Sequence, residues 1–209
     1  MTDPKVRERD LKVNENANEL RESVRLAYSA AADAPGDKHP FPVGAAFAHE
    51  LGYPRKLLDR IPGESIDAFS GVSNVSIQAP LREGAFILDV GCGAGLDSLV
   101  AAERVGSSGR VVGIDFSASM LNRASRSAQA CGHDNLAFLR ASAEQIPLRD
   151  LCVDVALING IFNLNPFRDR IFHELFRVLR LGGQAFGAEL ILESTLPQHL
   201  QSGSANWFS

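Results

Sequence analysis

Residues 86–95 read FILDVGCGAG, and the fold is decided there. A short apolar run from Phe86 to Val90 passes directly into three glycines spaced by single residues, Gly91, Gly93 and Gly95, and then into the helical period of residues 96–105. Strand, tight turn and helix in that order make the first half of a βαβ unit, in which glycine lets backbone approach a ligand that a Cβ would block. The alternation continues downstream. Apolar runs at residues 111–114, 136–139, 153–158 and 184–192 read as four further strands, and residues 119–130 and 166–179 have amphipathic helical spacing. Gly132 is placed to end the first of these helices, and Asn165 to cap the second with Pro166 in its first turn. Strands separated by helices connect through right-handed crossovers, so the expected architecture is α/β with a doubly wound, mainly parallel sheet.

Upstream of that core, Val13, Ala17, Leu20, Val24, Ala27, Tyr28 and Ala31 recur at steps of three and four. That stripe predicts one long amphipathic helix over residues 13–31. The loop 33–44, DAPGDKHPFPVG, carries three prolines and two glycines, and residues 45–70 read as short helical pieces broken at Gly52, Pro54, Pro62 and Gly63. Residues 1–80 are therefore a helical cap belonging to the same domain, residues 81–192 the sheet core, and residues 193–209 a tail.

Composition narrows the partners. The 209 residues are 45% hydrophobic and 22% charged, with a net charge of −4, which fits one domain and gives no electrostatic footprint for nucleic acid or an anionic membrane. A small molecule is the expected partner. Cys92, Cys131 and Cys152 lie far apart without a CxxC pair, so neither a disulfide framework nor a zinc site is expected. The amino-terminal MTDPKVRERDLKVNENANEL lacks the apolar stretch of an export signal, and no run is long enough to span a membrane. A soluble, cytoplasmic chain is expected.

Asp115, at the end of the second strand, is well placed to accept two ribose hydroxyls beside the glycine turn. The bland alternative is that the glycines only shape a tight turn and Asp115 only caps the next helix. Dinucleotide binders want a third glycine where Leu96 stands, so the spacing disfavours NAD and an oxidoreductase. At this point the chain resembles the class I S-adenosylmethionine-dependent methyltransferases. ILDVGCGAG at 87–95 is their hallmark, VVGIDFSASML at 111–121 is similar to their second motif and ASAEQIPL at 141–148 to their third. ALINGIFNLNP at 156–166 and FRVLRLGGQ at 176–184 complete the series. The last features and the lead-in ending at Tyr28 resemble the arsenite and quinone-biosynthesis methyltransferase branch.

The resemblance implies a Rossmann-like core, S-adenosylmethionine as cofactor and S-adenosylhomocysteine as product. The cofactor set it implies is Tyr28, Asp89, Gly91, Cys92, Gly93, Gly95, Asp115, Phe116, Met120, Ser142, Ala143 and Asn159. Cys92 belongs to that turn as a small filler. Three departures stand beside it. Ser142 occupies the usual place of an acidic acceptor for the adenine amino group, leaving the backbone at Ala143 to contact the adenine edge, while Glu144 reads as a helix or loop charge more than as a ligand. Gly160 occupies a position where arsenite enzymes carry a cysteine thiolate, and soft arsenic needs thiolates. The stretch LESTLPQHLQSGSANWFS supplies none of the family's final antiparallel strands, so strand five is expected to be an edge, covered by Trp207 and Phe208 or by a twin subunit in a homodimer. The function expected is methyl transfer to a small molecule; the alternative is a protein that binds the cofactor but is catalytically silent. A catalytic base is optional, with Asn159 and Glu189 as candidates near the strand ends and His39 as a lid residue.

Overall fold

In the computed structural model, backbone is described for residues 4–191 and side chains from residue 17 onward. Helix α1, Pro4–Asp33, leads into four short helices, α2 (Ala45–Glu50), α3 (Arg55–Leu58), α4 (Gly63–Ile66) and α5 (Val75–Gln78). There follow β1 (Phe86–Val90), α6 (Leu96–Val105), β2 (Arg110–Asp115), α7 (Ala118–Cys131), β3 (Leu136–Arg140), β4 (Val153–Asn159), α8 (Arg168–Val178) and β5 (Leu179–Ala188). The sheet order is β3-β2-β1-β4-β5 and every described pairing is parallel. Strand order reverses between β1 and β4, so the carboxyl ends of these two strands open a crevice.

Burial on both faces explains why β1 is apolar apart from Asp89. Leu88 and Val90 face one layer, where Ile171, Leu175 and Val178 of α8 pack. Ile87 faces the other, against Ala101, Ala102 and Val105 of α6. The cap is built into this second layer: Tyr53, Leu58, Ile66 and Phe69 share one cluster with Leu96 and Val100. The carboxyl-terminal part of α1 packs Ala31 and Ala32 onto Met120 and Ala94.

Beyond shifts of one or two residues at element ends, four features differ from the sequence reading. Helix α1 begins nine residues before Val13, because charged residues continue a helix that an apolar stripe no longer marks; Val13 itself lies outside the residues whose side chains are described. Helix α5 was not expected. The cap of α8 is Phe167, while Asn165 sits two residues earlier and accepts the Phe167 N–H through Oδ1 at 2.8 Å. Strand β5 starts at Leu179 rather than at 184 and ends at Ala188. Leu179 pairs with Val153 and Gln184 with Val155, so residues 180–183 bulge out of register before pairing resumes at Gln184. Gly183 permits this bulge, since a Cβ there would stand 2.9 Å from the carbonyl oxygen of Val153. The tail from residue 192, with Trp207 and Phe208, lies outside the described residues.

Candidate active site

The glycine turn is anchored to β2. The N–H groups of Gly91 and Cys92 both donate to the Ile114 carbonyl, at 2.8 and 3.0 Å, and the Gly93 N–H donates to Oδ2 of Asp115 at 3.0 Å. Oδ1 of Asp115 accepts the Ser117 N–H at 2.8 Å, which fixes the carboxylate in one orientation. Burial pushes the Asp115 carboxyl up from its ordinary value, and the backbone donors at Ser117, Gly93 and Phe116 pull the other way. Gly93 has φ 52°, and a Cβ on it would meet nothing within 4 Å, so its outer face is open. Gly91 is the opposite case: a Cβ would lie 2.5 Å from Cγ2 of Ile161.

Two small cavities flank this turn. The first, of about 80 Å³, reaches from Gly91 and Asp115 past Phe116 to Ser142, Ala143 and Glu144, and is closed on the α1 side by Arg21 and Val24. Ile114, Ile161 and Leu164 give it apolar walls. The second, of about 40 Å³, lies between Cys92, Gly93, Gly95 and Asn159 on the core side and Ser70 and Gly71 of the cap. Of the residues expected to hold cofactor, Gly91, Asp115, Phe116, Ser142 and Ala143 line the first cavity, and Cys92, Gly93, Gly95 and Asn159 the second.

Tyr28, Asp89 and Met120 line neither cavity. Tyr28 stacks on Phe41 with ring centroids 4.5 Å apart and hydrogen-bonds Ser70; burial raises its phenol, with smaller contributions from the charges of Asp115 and Glu189. Met120 is fully buried beneath α1. Asp89 lies under the turn, accepting from Ser98 Oγ at 2.5 Å, and burial together with the charge of Asp97 pushes its carboxyl up to about 8. Cys92 fills space beneath β2, its sulfur 2.9 Å from where a Cβ on Gly113 would be, and burial pushes the thiol well up.

Asn159 was expected to face the crevice, and it lines the second cavity while its amide is engaged by the protein: Oδ1 accepts the N–H groups of Val72 (2.8 Å) and Ser73 (3.1 Å), and Nδ2 donates to the Ser73 carbonyl and to Asp97, both at 2.8 Å. Glu189 holds the loop after β4 through the N–H of Phe162 at 2.6 Å. His39 bonds the Ala34 carbonyl within its own loop.

Three groups escaped the sequence reading. Arg21 reaches from α1 to Ser142 Oγ (3.3 Å) and to Oε1 of Glu144 (3.7 Å); its signal was a lone arginine between Ala17 and Val24 on the apolar stripe. Asn165 donates to Oε1 of Glu144 at 2.9 Å. Asp97 accepts from Tyr53 Oη (2.5 Å) and the Ser76 N–H (3.0 Å); a carboxylate inside the apolar run LDSLVAA was the signal. This arrangement fits a nucleoside: a fixed carboxylate for a diol, apolar walls for a flat ring, and an open glycine face for whatever the ribose carries.

Residues 81–208 match the family described as a methyltransferase domain. Among curated relatives, an arsenite methyltransferase of Halobacterium salinarum is 29% identical over 75% of this chain and 40% of its own length. A demethylmenaquinone methyltransferase of Lactococcus lactis is 34% identical over 57% of this chain and 47% of its own. An arsenic(III) S-adenosylmethionine methyltransferase from Chlamydomonas reinhardtii superposes with a TM-score of 0.58 at 29% identity, covering 77% of this chain and 53% of that one. The chain thus spans about half the length or less of these relatives. The chain belongs to the methyltransferase-domain family, with S-adenosylmethionine as its cofactor.

Proposed function

We propose that this chain transfers a methyl group from S-adenosylmethionine to a small-molecule acceptor. The observation that carries the proposal is the Asp115 carboxylate, held by the Gly93 and Ser117 N–H groups where the glycine turn meets the first cavity. When bound, the cofactor supplies a methyl group already activated on a sulfonium. The protein must then align an acceptor and exclude water. Asp115 would accept the ribose hydroxyls, Gly93 would admit the cofactor close to backbone, and α1 covers the crevice. Tyr28, Asp89 and Met120 act from behind, supporting α1 and the turn, and Asn159 fastens the cap.

The acceptor is proposed to be organic rather than arsenite. Gly160 offers no thiol; Cys92 is packed inside the turn, Cys131 ends α7, and Cys152 precedes β4, at the far end of the strands from the crevice. Pure protein with labelled S-adenosylmethionine, offered arsenite with thiol and a set of phenols and quinols, should label an organic product. Rapid methylation of arsenic overturns the acceptor assignment. The silent alternative draws on one observation, that Asn159 and Glu189 are both engaged in holding loops; binding without any S-adenosylhomocysteine formed would favour it.

A homodimer along β5 is proposed with this activity, on the exposure of Leu181 (91%), Ile191 (86%) and Phe176 (85%). A monomer mass that is independent of concentration in light scattering overturns it. A cytoplasmic location is also proposed, supported by the three unpaired cysteines. No described helix is long and apolar enough to cross a membrane. Residues 1–80 are proposed to fold as one domain with 81–192, and limited proteolysis that releases a stable core without the cap would separate them.

A further inference from the structure

We propose that Glu144, rather than the residue at position 142, reads the amino edge of adenine in the bound cofactor, an assignment that rests on the methyltransferase reading above. Position 142 carries a hydroxyl whose Oγ already accepts from Arg21 Nη2 at 3.3 Å. Two residues on, Glu144 lines the same cavity as Asp115, and these are the two carboxylates among the described residues on it. If Asp115 takes the ribose, Glu144 is the carboxylate left for the base. Its side chain is 8% exposed, and its placement is fixed on several sides. Asn165 Nδ2 donates to Oε1 at 2.9 Å, and Arg21 Nε stands 3.7 Å from the same oxygen. Behind it, Arg177 donates to the carbonyls of Ile146 and Leu148, each at 2.8 Å, and Glu174 accepts the Ile146 N–H at 2.7 Å, so the loop carrying Glu144 is clamped to α8. The hydrogen bond from Asn165 falls on Oε1, and the Glu144 side chain lines the cavity.

A carboxylate has lone pairs only, so it welcomes an exocyclic amino group and repels the oxygen that replaces it in a 6-oxo purine. A glutamine at the same place can keep the bond from Asn165 through its oxygen and turn its own N–H₂ toward the base. The test is calorimetry on the intact protein with S-adenosylhomocysteine and its 6-oxo analogue, S-inosylhomocysteine. The wild type should prefer the amino form by about tenfold or more. Glu144→Gln should collapse or reverse that preference, chiefly by gaining affinity for the oxo form, a gain that an unfolded variant could not produce. Ser142→Ala should weaken both ligands by no more than about threefold and keep the preference. Retention of the wild-type preference in Glu144→Gln, or its loss in Ser142→Ala, overturns the assignment. A wild type that binds neither nucleoside overturns the methyltransferase reading and this assignment with it.

Discussion

At the carboxyl end of β4, Asn159 donates from Nδ2 to Oδ2 of Asp97 on α6 at 2.8 Å. The other end of the amide accepts the N–H groups of Val72 and Ser73, so one side chain fastens the cap to the sheet core. Asn159→Ala leaves those N–H groups without their acceptor and should cost about 1–3 kcal/mol of stability. Asn159→Asp is more diagnostic. It sets two carboxylates at hydrogen-bond distance, which must share a proton to coexist. Its melting temperature should therefore fall further below that of the wild type at pH 8 than at pH 5, and an equal deficit at both pH values would refute the pairing.

Asp89 makes the native protein itself sensitive to pH. Unfolded, its carboxyl loses its proton near the ordinary value, about 4. Folded, burial and the neighbouring Asp97 hold the proton until about pH 8. Between these values the folded state binds the extra proton, so stability is greatest at the acid end and declines as pH rises, by on the order of 1 kcal/mol per pH unit from this group. Asp89→Asn removes the titration. Denaturant melts from pH 5 to pH 8 should show a shallower decline in the variant, and parallel curves would mean that Asp89 titrates normally.

Asp115→Ala should weaken S-adenosylhomocysteine binding by about 1.5–3 kcal/mol for each charge-assisted bond lost. The variant should also melt lower, because the Gly93 and Ser117 N–H groups lose the acceptor that orders the turn. Unchanged calorimetric affinity would remove Asp115 from the site.

The contrast between Asp115 and Arg21 shows what was legible in the sequence. Asp115 and the turn it serves sit in neighbouring crossovers, so pattern and spacing locate them together. Arg21 and Ser142 are separated by 121 positions, and no local pattern brings them into contact. The same holds for Asn159, whose crevice position could be read from the end of a strand while its hydrogen-bond partners, on the cap and on α6, could not. The early start of β5 was hidden for another reason. Gly182 and Gly183 look like the end of a loop, whereas the chain uses them to bulge within a strand already paired to Val153. On the cap, the periodicity of α1 stopped being informative where its apolar stripe stopped, well before the helix does.

Closure by α1 can be measured directly. Arg21→Ala removes the contacts to Ser142 and Glu144; the arginine is 41% exposed and its ion pair is long at 3.7 Å, worth about 0.2–1 kcal/mol, so the fold should survive while amides over residues 17–28 exchange faster. S-adenosylhomocysteine should slow exchange over the same segment in the wild type. Identical protection around Tyr28 with and without the ligand would leave α1 as a fixed wall.

At 30 residues, α1 is about 45 Å long and is tethered at its Asp33 end by the proline-rich loop, which makes it a lever with a short load arm. A rotation of about 10° about that end would carry Arg21 by about 3 Å, enough to part it from Glu144, while the Pro4 end would travel about 8 Å. A movement barely large enough to open the nucleoside cavity is thus magnified at the far tip, where a pair of fluorophores would read the occupancy of the site from outside it.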